Sequence, residues 1–321
     1  MLCHLANQFP PFVANFLERS RPLRRRFREE TITDLLMGSL ITAGGKRVIV
    51  EFPNEPVTGA DMEWNFANPD DGTFFRILLQ AKQSSGEGMI WRRHCYKELL
   101  HKPRGSSTLQ AVALCTTARA EPATYPLYIF YHPERTCVAA EAAKCAAVAG
   151  VSLADGYQIE HLVTGATTRT LRTRNKSLKE IEPLLFSLTD LFCPPTIQEI
   201  GPLALRPGAF LYPLAAATIA GRPITGVPVP PEPTVIRNRI VSIREAQSEA
   251  QIQRAEELPP VAEVSNEIPR EVRSVIERRR AGAPSEQGLN RWRVTFVSSS
   301  PRDLDAELQR LRRLEDEPGD T

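Results

Sequence analysis

The chain has 321 residues, enough for one sizeable core with extra segments or for two domains. Its formal net charge of +2 gives no global field toward nucleic acid or membrane, so local basic clusters must carry any such case. It contains no run of about 18 apolar residues, so no transmembrane helix and no membrane partner are expected.

Residues 1–24 form an N-terminal segment with Phe12, Phe16 and Leu17 at helical spacing. The segment lacks a basic n-region and contains Pro10-Pro11, which argues against a signal peptide. Arg19, Arg21, Arg24, Arg25, Arg26 and Arg28 follow. They read as a solvated helix start or as phosphate contacts, which the arginine fork suits. From Phe27 to Leu40 the pattern is helical, with a stripe of Phe27, Ile32, Leu35, Leu36 and Leu40 and a stop at Gly44-Gly45. Glu29, Glu30 and Asp34 lie on this helix, and Glu30 and Asp34 share a face. Carboxylates there favour the helix dipole, or one of them serves a metal site.

Lys46 to Phe52 reads as a strand. Gly59 to Gln83 reads as a hairpin, two apolar runs around the turn Asn68-Pro69-Asp70-Asp71-Gly72. Next come a helix over Trp91 to Leu100, a helix over Thr108 to Ala118 carrying Gln110, and a buried strand over Pro126 to Tyr131. Ala139 to Ala149 reads as a helix or ordered loop, and Tyr157 to Val163 as a strand. A basic, polar stretch over Arg169 to Lys179 precedes a helix over Ile181 to Phe192. The prolines after residue 200 favour extended linker structure. Residues 238–288 are charged and poor in aromatics, which predicts mostly disordered or transiently helical chain. Within the tail, Arg291 to Val297 is strand-like, suited to joining the core sheet or binding a partner, and Leu304 to Leu314 reads as a short charged helix. The six cysteines form no Cys-x-x-Cys pair and read as reduced, mostly structural thiols of a cytoplasmic protein.

The chemistry concentrates in the hairpin. Alternate strand residues share a side, so Asp61 and Glu63 fall on one face of the first strand, and Gln80 and Lys82 on one face of the second. A phosphodiester is hydrolysed where carboxylates hold a divalent cation and a nearby ammonium orients the nucleophile and offsets charge. Asp61 with Gln80-Ala81-Lys82 supplies that set, completed by Glu29 or Glu30, with Glu63 placed to help.

These residues resemble the PD-(D/E)XK nuclease superfamily, with Asp61 at the acid position, Gln80 and Lys82 at the (Glu/Gln)-x-Lys positions, and Glu29 or Glu30 upstream. The ordered strings Glu-Glu-Thr-Ile-Thr, Gly-Ala-Asp-Met-Glu-Trp, Leu-Gln-Ala-Lys, Pro-Leu-Tyr-Ile-Phe-Tyr and Leu-Phe-Cys-Pro look like a bacterial nuclease-like domain family of unknown function within it. The resemblance implies an α/β, restriction-endonuclease-like core over residues 25–200, a central mixed sheet flanked by helices; composition makes residues 201–321 a largely disordered tail. It implies a nuclease using Mg²⁺ or Mn²⁺, with Asp61, Gln80, Lys82 and Glu30 catalytic and Asp61, Gln80, Glu63 and Glu30 on the metal. Arg24, Arg25, Arg26, Arg92, Arg93 and Lys97 are the expected contacts to nucleic acid, DNA ahead of RNA. A homodimer, a protein partner bound through the tail, a role in genome defence and a catalytically inactive binding or interaction module all stay open.

Overall fold

Chain chemistry makes the central hairpin. β2 (Met62–Asn68) and β3 (Thr73–Gln83) pair antiparallel, with Asn68 opposite Thr73. The four residues between them turn on side-chain acceptors: Asn68 Oδ1 accepts from the Asp70 N–H (3.1 Å) and Asp71 Oδ1 from the Thr73 N–H (2.9 Å). Gly72 closes the turn at φ 76°, a conformation glycine adopts without a Cβ clash. Both strands are buried almost throughout, as a sheet covered on both faces requires.

The structure, a computed structural model, describes residues 2–23, 27–44, 47–52, 61–86, 88, 90, 93–102, 107–145, 147–193, 218–219, 222–223, 230–250, 258–280 and 291–298. The order begins α1 (Leu2–Ser20), α2 (Glu29–Gly44), β1 (Val48–Glu51), β2, β3, a 3₁₀ turn (Lys97–Leu100), α3 (Gln110–Ala120), β4 (Thr124–Tyr131) and α4 (Glu134–Ala142). It continues through β5 (Val151–Asp155), α5 (Gly156–Thr164), α6 (Arg169–Asn175), α7 (Leu178–Ile181), β6 (Leu185–Ser187) and α8 (Leu188–Phe192). A small pair, β7 (Thr218–Ile219) and β8 (Arg222–Pro223), precedes α9 (Pro233–Ala250), α10 (Arg270–Arg280) and β9 (Trp292–Val297).

Seven strands make one mixed sheet in the order β1-β9-β2-β3-β4-β5-β6. The β2/β9 and β3/β4 pairs are parallel and the others antiparallel. Met62, Trp64, Phe66, Ile77 and Leu79 point to one face, where they pack with apolar residues of α1, α2, α8 and α9. Leu78, Tyr128 and Phe130 point to the other, against α3, α5 and α7. The fold is therefore an α/β mixed sheet flanked by helices, as expected.

Several elements differ from the sequence reading. Of the helix expected over Trp91 to Leu100, the described residues 93–100 form no α-helix: Cys95 bridges to Ser85 and Ser177, and Lys97–Leu100 is a 3₁₀ turn. Tyr157 to Val163 is the helix α5, with its strand lying one step earlier as β5; Asp155 caps the helix by accepting from the Tyr157 N–H. Within Ile181 to Phe192 the chain makes a 3₁₀ turn, β6 and then α8, because Ser187 and Asp190 build a capping box that restarts the helix.

Residues 238–288, read as mostly disordered or transiently helical, hold most of α9 and all of α10, and the helices' Ile236, Ile240, Val272 and Ile276 are buried. Arg291 to Val297 takes the sheet-joining option, entering as β9 between β1 and β2. The Leu304 to Leu314 helix lies outside the described residues. Cys3 and Cys193, read as thiols, are joined in a disulfide across 190 residues of sequence, fastening α1 to the end of α8. Among the described residues no helix is long and apolar enough to cross a membrane.

Candidate active site

Asp61 sits one residue before β2, its N–H donating to the Leu79 carbonyl (2.9 Å), so hairpin pairing fixes its backbone. Its Oδ2 accepts from the Ala81 N–H at 2.7 Å and from Gln80 Nε2 at 2.5 Å. Burial pushes the Asp61 carboxyl above the usual range, while Lys82 and those two donors pull it back. Gln80 is fully buried, and its Oε1 has no hydrogen-bond partner. In this arrangement Gln80 presents its N–H to Asp61.

Lys82 is buried near the end of β3, 2% exposed, with Nζ 3.5 Å from Glu29 Oε1. Glu29 opens α2, whose Ile32, Leu36, Met37 and Leu40 are buried against the sheet. The first turn is tied down where Thr33 Oγ1 shares a 3.1 Å hydrogen bond with the Tyr131 hydroxyl at the end of β4. Burial raises the Glu29 carboxyl to about 7; Lys82 opposes the rise, and Asp61 and Glu30 add to it. Glu30 is the upstream carboxylate expected in the site, with Glu29 the alternative; it is Glu29 that reaches Lys82, and Glu30 stands beside it.

These groups share an open cleft of about 1940 Å³, lined among others by Glu29, Glu30, Asp61, Lys82, Arg93 and Lys97. Arg21, Arg28 and Gln110 also line it. Gln110 is the first residue of α3, and its Oε1 is buried without a partner.

Glu63 leaves the expected set. It shares Asp61's strand face by parity, but its carboxylate is held by Arg291 Nε (2.6 Å), by Arg293 Nε and by Asn65 Nδ2 (3.1 Å). Burial alone would raise its carboxyl; Arg76, Arg293 and Arg291 override that and hold it at about 2. Arg76 extends the network to Asn65 (2.9 Å), Glu121 (2.8 Å) and Glu271 (2.9 Å). The signal for this was Arg291-x-Arg293 on a strand-like run, two cations on one face in need of an acid. Arg24, Arg25, Arg26 and Arg92 lie outside the described residues, whereas Arg93 and Lys97 are exposed on the cleft wall. No group of three or more His, Cys, Asp or Glu side chains placed to hold a metal ion occurs among the described residues.

Fold and site together define an α/β protein whose mixed sheet ends in an acid, amide and lysine cluster at the mouth of a charged cleft. The chain belongs to DUF6615, a family of unknown function, whose family model matches residues 2–303. No curated protein and no solved structure matches it.

Proposed function

We propose that this protein is a metal-dependent nuclease of the PD-(D/E)XK superfamily, hydrolysing phosphodiester bonds in DNA ahead of RNA. One observation carries the reading: Asp61, Lys82 and Glu29, from three separate places in the chain, converge in one cleft. The donor chemistry fits a hard divalent cation. Asp61 and Glu29 offer carboxylate oxygens, and both are raised by burial with a single buried ammonium between them, so a cation relieves them. Two carboxylates suit Mg²⁺ or Mn²⁺, since Mg²⁺ keeps several waters and takes one or two acids. Bound there, the metal lowers the pKa of water and stabilises charge on the phosphate.

The chain's own groups do the rest. Gln80 and the Ala81 N–H fix the rotamer of Asp61 through Oδ2. Lys82 is held by Glu29 and supplies positive charge to the phosphate and a donor to the attacking water. Arg93 and Lys97 grip flanking phosphates from the wall. We place the protein in the cytoplasm with the DNA it cuts, in bacterial genome defence. The Cys3–Cys193 bridge runs against the reducing poise of that compartment, and mass analysis of protein trapped from cells without reductant decides the point.

The test is cleavage of supercoiled plasmid and of a labelled single strand, with Mg²⁺ or Mn²⁺, by wild type, Asp61→Ala and Lys82→Met. Cleavage by wild type that drops about 100-fold or more in both folded variants supports the reading. A second reading, a nucleic-acid-binding module without catalysis, is favoured by Gln80 giving Asp61 an N–H where many relatives of the superfamily place a second acid. It predicts retained affinity with no cleavage.

A further inference from the structure

We infer that the basic stretch of residues 166–180, α6 and the residues that follow it, is a second backbone-binding surface, which extends the cleft's grip along a duplex DNA beyond the reacting phosphate. This rests on the reading that the cleft takes nucleic acid. Residues 166–180 carry Arg169, Arg172, Arg174, Lys176 and Lys179 against the single acid Glu180. Nothing in the sheet or the catalytic cluster uses them. Arg174 pairs with Glu180 on the surface (2.9 Å) and Arg172 donates to the Ala166 carbonyl (3.2 Å). Arg169, Lys176 and Lys179 have no carboxylate partner among the described residues, and Arg169 and Lys179 are exposed.

The backbone joins this stretch to the cleft wall. Cys95 bridges Ser85, just beyond Lys82, on one side and Ser177 on the other. The Tyr96 N–H donates to the Lys176 carbonyl (2.8 Å) and the Leu178 N–H to the His94 carbonyl (2.9 Å). The 93–97 segment, with exposed Arg93 and Lys97, is therefore a rung between the end of β3 and the residues that follow α6. Two inter-strand spacings make about 10 Å, close to three base-pair steps of about 3.4 Å. Along this span Arg93 and Lys97 on the rung and Lys176 and Lys179 beyond it supply cations, with Glu98 and Glu180 the acids beside them, a run of charge that suits a phosphate track. Among the described residues the surface has no stacking platform: α6 contains no aromatic residue, and Tyr96 and His94 on the rung are fully buried. Single strands are gripped largely by stacking on aromatics, so the surface favours a duplex.

The test is fluorescence anisotropy in EDTA, where nothing is cleaved, with labelled duplexes of about 8 and about 40 base pairs. It compares wild type with the triple variant Arg169→Ala, Lys176→Ala, Lys179→Ala, after circular dichroism shows both folded. The expected result is a loss of about tenfold or more on the long duplex, little change on the short one, and a salt slope shallower by about 0.9 per contact removed. Equal affinities for the long duplex, or equal losses at both lengths, overturn the inference. A single strand bound tighter than the duplex through the same residues overturns its duplex assignment. Displacement by polyglutamate as readily as by DNA reduces the surface to a general polyanion site and also overturns it. Long-duplex binding through residues 166–180 in a wild type that never cleaves sinks the nuclease reading alone; cleavage with that stretch silent sinks this inference alone.

Discussion

At the scale of single residues, position along a strand told which way a side chain points, and its neighbours decided what it does. Glu63 and Asp61 have the same parity, yet Glu63 is neutralised by Arg291 and Arg293 while Asp61 faces the cleft with two donors on one oxygen. Glu63 is thus a structural acid with a testable pH signature. Its carboxyl is depressed from 4.5 to about 2, so its stabilisation is complete above the unfolded value and lost as pH falls from about 4.5 to 2. The contribution at neutral pH is on the order of 3 kcal/mol. Glu63→Gln is expected to melt lower at pH 7 and to lose less than wild type between pH 5 and 2; parallel melting curves across that window contradict the assignment. Gln80 makes a second prediction. A Glu in its place would set a carboxylate where an N–H now meets Asp61, and like charges in a buried site repel. Gln80→Glu is expected to lower the melting temperature of metal-free protein and to recover it on adding Mg²⁺. A melt that ignores the metal counts against a cation beside Asp61.

Elements show where sequence reading fell short and why. The hairpin was legible because its turn chemistry is local: Asn68, Asp71 and Gly72 each satisfy the turn by themselves. The stretch 93–97 was not, because its extended form comes from bridges to Ser85 and Ser177, residues distant in sequence. α1 was legible in part, through Phe12, Phe16 and Leu17 at helical spacing, but not its length. Pro10 and Pro11 inside a helix remove hydrogen-bond donors, and the helix stands because Leu5, Phe9, Val13 and Leu17 are buried against the sheet. Gly150 lets it sit that close: a Cβ there would lie 1.8 Å from the Pro10 carbonyl oxygen. The Cys3–Cys193 bridge could not be read from spacing at 190 residues apart. With six cysteines and one bridged pair, thiol titration of unreduced, denatured protein is expected to find four thiols; six contradict the bridge. β9 is the largest revision of what the C-terminal region does. Phe296 is fully buried, stacked on Phe66 at 4.7 Å and edge-on to Trp64. Phe296→Ala is expected to cost about 3–5 kcal/mol in urea unfolding, as for a core aromatic; a change below about 1 kcal/mol would mean that β9 is dispensable.

For the whole molecule, α1 and β9, far apart in sequence, pack on or in the same sheet. Among the described residues β1 reaches the sheet through β9 alone, and the Trp292 N–H donates to the Asp61 carbonyl (3.2 Å), so β9 also fixes the backbone of Asp61. The sequence carried the fold class and the cluster of Asp61, Gln80 and Lys82, since apolar runs and strand alternation are short-range signals. It favoured Glu30 where Glu29 is the carboxylate beside Lys82, because adjacent helix positions differ by about 100° around the axis and only docking of α2 selects one. The central claim is that Asp61 and Glu29 hold a divalent cation beside Lys82. Calorimetric titration of metal-free protein with Mn²⁺, wild type against Asp61→Ala, tests it most directly. One site per chain in wild type, absent in the folded variant, is the predicted result; no binding, or binding unchanged in Asp61→Ala, contradicts it.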